Sequence, residues 1–149
     1  MGDKNQIIIR RPREDDRNQI KNLVEYLLMV EKSRDISGNT KRIMRDDIDP
    51  SLRGGNHSRL FVAVRNGDIC GFALAKLKSD TASVAYLVVK QKYQRFGIGK
   101  KLMEAMIEYA KAKGCKLIEA LVYKDNEKSK KFHKRMDFKP FSIVYRKEL

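Results

Sequence analysis

The stretch Gln94-Arg95-Phe96-Gly97-Ile98-Gly99-Lys100 decides how the rest of this chain is read. Two glycines and a basic flank stand where the most amphipathic segment begins. A glycine inside a helix costs about 1 kcal/mol relative to alanine. The pair therefore either punctuates a turn or clears the backbone for a group that must approach it. The stretch is not a Walker A loop, because Lys101 follows Lys100 where Ser or Thr is needed and Gln94 stands at the first glycine position. It is not a dinucleotide fingerprint either, because Leu102 replaces the third small residue.

Context carries the reading further. Ala82–Val89 is rich in β-formers and reads as a strand entering the loop. Ile98, Leu102, Ala105, Met106 and Tyr109 then fall on one face of a helix, which Gly114 terminates. The first turn of a helix has free N–H groups and the positive end of the dipole. Gln94, Arg95 and Lys100 add donors and charge. On the residues alone two readings stay open: an anion site, or a glycine turn that only starts a helix.

Working outward, Gln6–Arg10 reads as a first strand and Asp15–Lys32 as a helix opened by Glu14-Asp15-Asp16. Ser33–Gly38 reads as a loop, Thr40–Ile48 as a helix ending before Pro50, and Ser51–Ser58 as a mobile connection. Leu60–Arg65 and Asp68–Lys78 form a hairpin about Asn66-Gly67, and Ser79-Asp80-Thr81 turns the chain into Ala82–Val89. After the glycine loop and its helix come a strand, Lys116–Val122, a helix, Asn126–Met136, and a last strand, Phe141–Lys147. The order β-α-α-β-β-β-α-β-α-β predicts a mixed α/β fold in one domain over residues 1–149, with a mostly antiparallel sheet covered by helices.

Composition sets the outer limits. The chain has 149 residues and a formal net charge of +14. That charge suits phosphates, acidic proteins or nucleic acid, and equally a lysine-rich solvated surface. Aromatic residues spaced for base stacking are absent, so nucleic acid rests on charge alone. No apolar run is long enough to span a bilayer. The start reads neither as a signal peptide nor, although Gly2 follows Met1, as a myristoylation motif. The two cysteines, Cys70 and Cys115, read as small buried hydrophobes and not as a metal framework. No metal is expected, and the cytoplasm is the expected compartment.

Gln94-x-x-Gly97-x-Gly99 resembles the Gln/Arg-x-x-Gly-x-Gly/Ala motif of the GCN5-related N-acetyltransferase superfamily. Asn126-x-x-Ser129-x-x-Phe132-His133-x-x-x-x-Phe138 resembles that family's Asn-x-x-Ala-x-x-hydrophobic-Tyr-x-x-x-Gly-Phe segment, and the element order is similar over nearly the whole chain. The resemblance implies an acetyl-CoA site. It implies that backbone N–H groups from Gln94, Arg95, Phe96, Gly97, Ile98, Gly99 and Lys100 hold the pyrophosphate. It further implies that Leu87, Val88 and Val89 pair with the pantetheine at a splayed sheet edge, and that Asn126, Ser129 and Phe132 line the far side. Asn126 also reads independently as a helix N-cap.

Acetyl transfer to an amine needs a neutral nucleophile, a polarised carbonyl and a proton for the leaving thiolate. A lysine-like amine is only about one part in 2,000 neutral at pH 7, a deficit of roughly 4–5 kcal/mol. The family's acid is often a Tyr where this chain has His133, and imidazole can also donate near neutral pH. The family's Glu base on the strand before the loop has no counterpart. Tyr86 is the nearest hydroxyl, Glu119 is the carboxylate of its strand, and Tyr123 is a further hydroxyl. Glu31 and Asp35 read either as selectors of a cationic acceptor or as surface charges. Asp137, replacing the family's Gly, is expected to need an unusual backbone angle.

The expected activity is acetyl-CoA-dependent N-acetylation of a small-molecule or protein amine by direct attack, in a monomer or homodimer. The alternative is a non-catalytic CoA-binding or basic module of the same fold.

Overall fold

The structure, a computed structural model, describes residues 6–149. Met1–Asn5, including Gly2, lie outside the described residues. Among the described residues, five strands form one sheet in the order β1-β2-β3-β4-β5: Ile7–Arg10, Ser58–Arg65, Asp68–Lys78, Thr81–Val89 and Leu117–Ala120. The first four pair antiparallel and β5 joins β4 in parallel. The β2–β3 hairpin turns on Asn66 (φ 53°) and Gly67 (φ 79°), the left-handed pair that a type I′ turn requires.

Helices cover both faces. On one face lie α1 (Arg17–Val30), α2 (Ile36–Ile43), a π turn (Met44–Ile48) and α3 (Asp49–Leu52). Ile20, Leu23 and Val24 of α1 pack there with Leu60, Phe72, Leu74 and Val88 of the sheet. On the other face α4 (Ile98–Ala112) buries Ile98, Leu102, Met103 and Met106 against Ala63, Ala73 and Ala75, and α5 (Glu127–Arg135) contributes Phe132. The small side chains on this face let α4 approach closely. β3 is buried from Ile69 to Ala75 because it is sandwiched between the two layers. Gly71 has no room for a side chain, since a Cβ would come within 2.7 Å of Val88 O.

Several boundaries differ from the sequence expectation. Ser33–Gly38 is not a loop throughout: the Asp35 carboxylate accepts from Gly38 N–H at 2.9 Å and starts α2 at Ile36, ahead of the expected start at Thr40. Pro50 does not end the helical run. It occupies the first turn of α3, where a missing N–H has no consequence, after the wider π turn. Ser51 belongs to that helix and its hydroxyl bonds Asp47 O at 2.8 Å. The third difference is the largest. Phe141–Lys147 is not paired as a strand, and Phe141 and Tyr145 are 91% and 90% exposed. Pairing requires a free edge in reach, which local β propensity cannot supply. Cys70 is fully buried as expected, whereas Cys115 is half-buried.

Candidate functional site

β4 ends at Val89. A 3₁₀ turn, Gln91–Phe96, carries the chain to Gly97, which caps α4 with φ 70° and ψ 21°. A Cβ at Gly97 would meet nothing within 4 Å, so the demand for glycine is conformational. The Lys101 N–H is bonded to Gly97 O at 3.1 Å. The N–H groups of Ile98, Gly99 and Lys100 precede it and have no intrahelical acceptor. Three bare donors thus stand at the positive end of a 15-residue helix. Arg95 and Lys100 are exposed beside them. The Ile98 side chain is fully buried and anchors the helix start to the sheet.

Gln94 does not offer its side chain outward. Its Nε2 donates to Val89 O at 3.2 Å, and its Oε1 accepts from Lys128 of α5. The residue braces the loop against the strand on one side and α5 on the other. Arg65 of β2 lies 4.1 Å over the Phe96 ring and supports the loop from below.

The strand beside the loop is open. β4 and β5 pair from Thr81↔Leu117 to Val84↔Ala120 and no further. At the same point the β3–β4 register shifts, with Leu74 opposite Tyr86 and Ala75 opposite Val84, so Ala85 is the extra residue of a bulge. From Ala85 to Val89 the outer edge of β4 has no strand partner among the described residues. Lys90 N–H turns inward to Cys70 O at 2.9 Å. By alternation the N–H groups of Leu87 and Val89 face the open edge and that of Val88 faces β3. The side chains of Leu87, Val88 and Val89 pack in the two cores, so this edge offers backbone only.

α5 closes the far side. Asn126 Oδ1 accepts from Ser129 N–H at 3.0 Å, the cap expected of it. Phe132 reaches the first turn of α4, where a methyl on Gly99 would lie 3.6 Å from its ring, an ordinary contact. His133 turns back onto its own helix. Its Nδ1 donates to Ser129 O at 2.7 Å, with Ser129 Oγ at 3.3 Å. Its ring stands edge-on to Phe132 and Phe138, both at 5.2 Å. This fixes the tautomer and leaves Nε2 as the ring nitrogen that Ser129 does not engage. Asp137 adopts φ 67°, ending α5 in the left-handed region as its position requires.

The three proposed catalytic groups are not brought together. Tyr86 belongs to the opposite face, packed against Phe72, and its hydroxyl donates to Asp47 Oδ2 at 2.7 Å. Asp47 Oδ1 accepts from Lys76 Nζ at 2.5 Å. Burial, then the bond to Asp47, pushes the Tyr86 hydroxyl well above the ordinary phenol range, so it is a donor at any working pH. Asp47 is 9% exposed and was not singled out by sequence. In Arg45-Asp46-Asp47-Ile48-Asp49 it is one of three similar aspartates, and only the π turn aims it at the sheet. Glu31 lies near this cluster and contributes to the Tyr86 shift. Crowding pushes its own carboxyl up, although water still reaches it and limits the effect. Asp35 is occupied as the α2 cap. Glu119 is exposed opposite Ser83, and Tyr123 is 62% exposed beyond β5. Burial holds the Cys70 thiol up, and it donates to Ala63 O at 3.3 Å, so it is no ready nucleophile.

Known proteins share this architecture. An uncharacterized N-acetyltransferase of Methanocaldococcus jannaschii is 30% identical over 91 residues, 56% of this chain and 40% of that protein. The match thus spans less than half the length of that relative. The aminoglycoside N-acetyltransferase AAC(6')-Iy, solved with a bisubstrate analogue of CoA and acetylneamine, superposes with a TM-score of 0.72 at 21% identity, covering 97% of this chain and 99% of that one. The PaiA N-acetyltransferase of Thermoplasma acidophilum, solved with coenzyme A, gives 0.75 at 18% identity over 88% of each chain. At such identities the structural likeness is one of fold. Residues 25–138 match the family model described as the acetyltransferase (GNAT) family, and the chain belongs to that family.

Proposed function

We propose that this chain is an acetyl-CoA-dependent N-acetyltransferase that acetylates a primary amine by direct attack in a ternary complex. The observation that carries the reading is the juxtaposition of bare N–H groups at Ile98–Lys100 with the unpaired β4 edge at Ala85–Val89. One binds a diphosphate and the other an extended amide-bearing arm, and these are consecutive parts of CoA. Acetyl-CoA supplies the activated acetyl group.

The chain's own groups then divide the work. Gly97–Lys100 hold the diphosphate, with Arg95 adding charge. Leu87 and Val89 offer backbone N–H groups, one to the pantetheine arm and one to the carbonyl oxygen as it gains charge. Asn126, Ser129 and Phe132 bound the slot on the α5 side. His133 gives a proton from Nε2 to the departing sulfur, and the resulting Nδ1–H tautomer is the one that Ser129 O holds. On the other face the acceptor amine meets Tyr86 and Asp47. The hydrogen bond between Tyr86 and Asp47 supports a proton path from the amine through this pair in preference to Glu119. Lys76 holds one oxygen of Asp47 and Tyr86 the other, and together they fix its orientation.

A second reading has one specific support: His133 Nδ1, Asp47 and Tyr86 are all engaged within the protein. A CoA-binding module without turnover would show the same bonds. Thermal unfolding with acetyl-CoA followed by thiol release across an amine panel separates the two. A rise in the unfolding midpoint is expected, since a ligand of the folded state stabilises it by mass action. No shift at millimolar acetyl-CoA would sink both readings. A shift without thiol release from any amine would leave the binding module.

A further inference from the structure

β1 stops at Arg10, opposite Val62, so the start of β2, Ser58–Phe61, runs on without a strand on that side. The last two turns of α4 face this corner, and the small side chains of Ala105 and Ala112 leave it unfilled. The result is a groove of about 420 Å3. Small-molecule sites typically span roughly 300–1,000 Å3. Phe61 and Tyr109 form its wall, edge to face at 6.4 Å. The groove is remote from the glycine loop, because Ala105 to Lys113 lie roughly 10–22 Å along α4 from Ile98.

The donors here have nothing to bond. Arg59 lays its guanidinium over the Tyr109 ring at 4.8 Å. Its Nε is shut from water without an acceptor, and the group has no ion pair among the described residues. Only the two Nη groups remain open. A charged group left in this state lacks a partner that its surroundings ought to supply. Tyr109 is 7% exposed, and its hydroxyl also has no hydrogen-bond partner among the described residues. Burial pushes that hydroxyl above the ordinary phenol range, against the pull of Arg59 and Arg11, so it is held as a donor. Lys113 adds a cation at the rim and is paired with no described carboxylate. Glu108, on the same rim, is taken by Lys111 at 3.9 Å.

We propose that this groove is a second ligand site, which takes a monocarboxylate with a compact apolar body. Charge and shape select that class. The planar fork of the Arg59 Nη groups matches a carboxylate with two N–H bonds. The body then lies against Phe61 and the two alanines. A phosphate without such a body gains nothing from this apolar lining, which cannot replace its water. A cationic ligand would meet Arg59 and Lys113 as like charges. The inference is independent of the proposed activity.

The test titrates three probes into the ligand-free protein: benzoate, benzylamine, which carries the opposite charge on the same ring, and inorganic phosphate. Binding is read by calorimetry and by amide chemical shifts. Benzoate is expected to saturate with a Kd of the order of 1 mM, as a ligand of this size allows. Its shifts should centre on Arg59–Phe61 and Ala105–Lys113, and the other two probes should leave those amides unmoved. Arg59→Gln should weaken benzoate by about tenfold or more, the loss of a charge-assisted bond. Ala112→Leu, at an exposed helix position, should weaken it as much by filling the groove with every charge kept. Circular dichroism checks that both variants fold. The proposal is overturned by benzoate that does not saturate at about ten times that concentration. Equal binding of benzylamine or phosphate, shifts centred on Gly97–Lys100, or wild-type affinity in either folded variant would overturn it as well.

Discussion

The two flanks of β4 are built differently. On the α4 side, the groups assigned to the donor lie close together in the chain: the strand end, the turn and the helix start span Leu87 to Lys100. They act through backbone, and their side chains are either buried, like Ile98, or braces, like Gln94. On the α1 side, the groups assigned to the acceptor come from three distant segments. Tyr86 meets Asp47 across 39 residues of sequence, and Lys76 meets it across 29. They act through side chains. A backbone site tolerates side-chain change as long as the dihedrals survive. A side-chain site fails when any one partner is lost, because a buried polar group is then left unpaired.

This contrast can be broken by substitution, and the effects should fall in order. Gly97→Asp should act on the donor side alone and most strongly. The site has open space, and Asp tolerates the left-handed region, as Asp137 does at φ 67°. The fold should therefore lose only about 1 kcal/mol. Acetyl-CoA affinity should fall by about 100-fold or more, because a carboxylate replaces the approach path of a diphosphate and weakens charge-assisted bonds. Unchanged affinity by calorimetry would mean that the loop is not the diphosphate site.

Asp47→Ala should act on the acceptor side. It leaves the Tyr86 hydroxyl unpaired at a stability cost of about 1–3 kcal/mol. The kcat/KM for the amine should drop about 30-fold while the KM for acetyl-CoA stays constant. Equal losses on both substrates would erase the division between the flanks. His133→Ala should be smaller. A thiol such as that of CoA titrates near pH 8.5, so its thiolate leaves with modest help and kcat should fall about tenfold. Binding of acetyl-CoA, measured without acceptor, should hardly change. An unchanged kcat would remove His133 from the reaction. Gln94→Ala should be the mildest, with affinity for acetyl-CoA about threefold weaker from loss of one exposed brace. A loss as large as that of Gly97→Asp would show that Gln94 touches the ligand itself.

What could be read before the structure follows the same division. The glycine loop, the Asn126 cap, the Asn66-Gly67 turn and the strained Asp137 are local devices, each set by residues a few positions apart. Pro50 misled because its helix-breaking effect vanishes in a first turn, and the π turn that places it there has no local signature. Asp35 reads from sequence either as a selector of a cationic acceptor or as a surface charge, whereas its carboxylate accepts from Gly38 N–H and caps α2. Nothing in the neighbouring sequence distinguishes Asp47 from Asp46 and Asp49. The 141–147 segment has every local property of a strand and lacks only a partner.

The sequence by itself determined the family, the order of elements as far as α5 and the left-handed turn at Gly97 that starts α4. These depend on periodicity, caps and dihedral preferences, which neighbours in the chain control. Only the tertiary structure decided that Tyr86 is locked to Asp47, that β4 is left open from Ala85 onward, and that residues 141–147 pair with no strand. Those features depend on which distant groups share a face and which edge remains unpaired, and no local free energy encodes that.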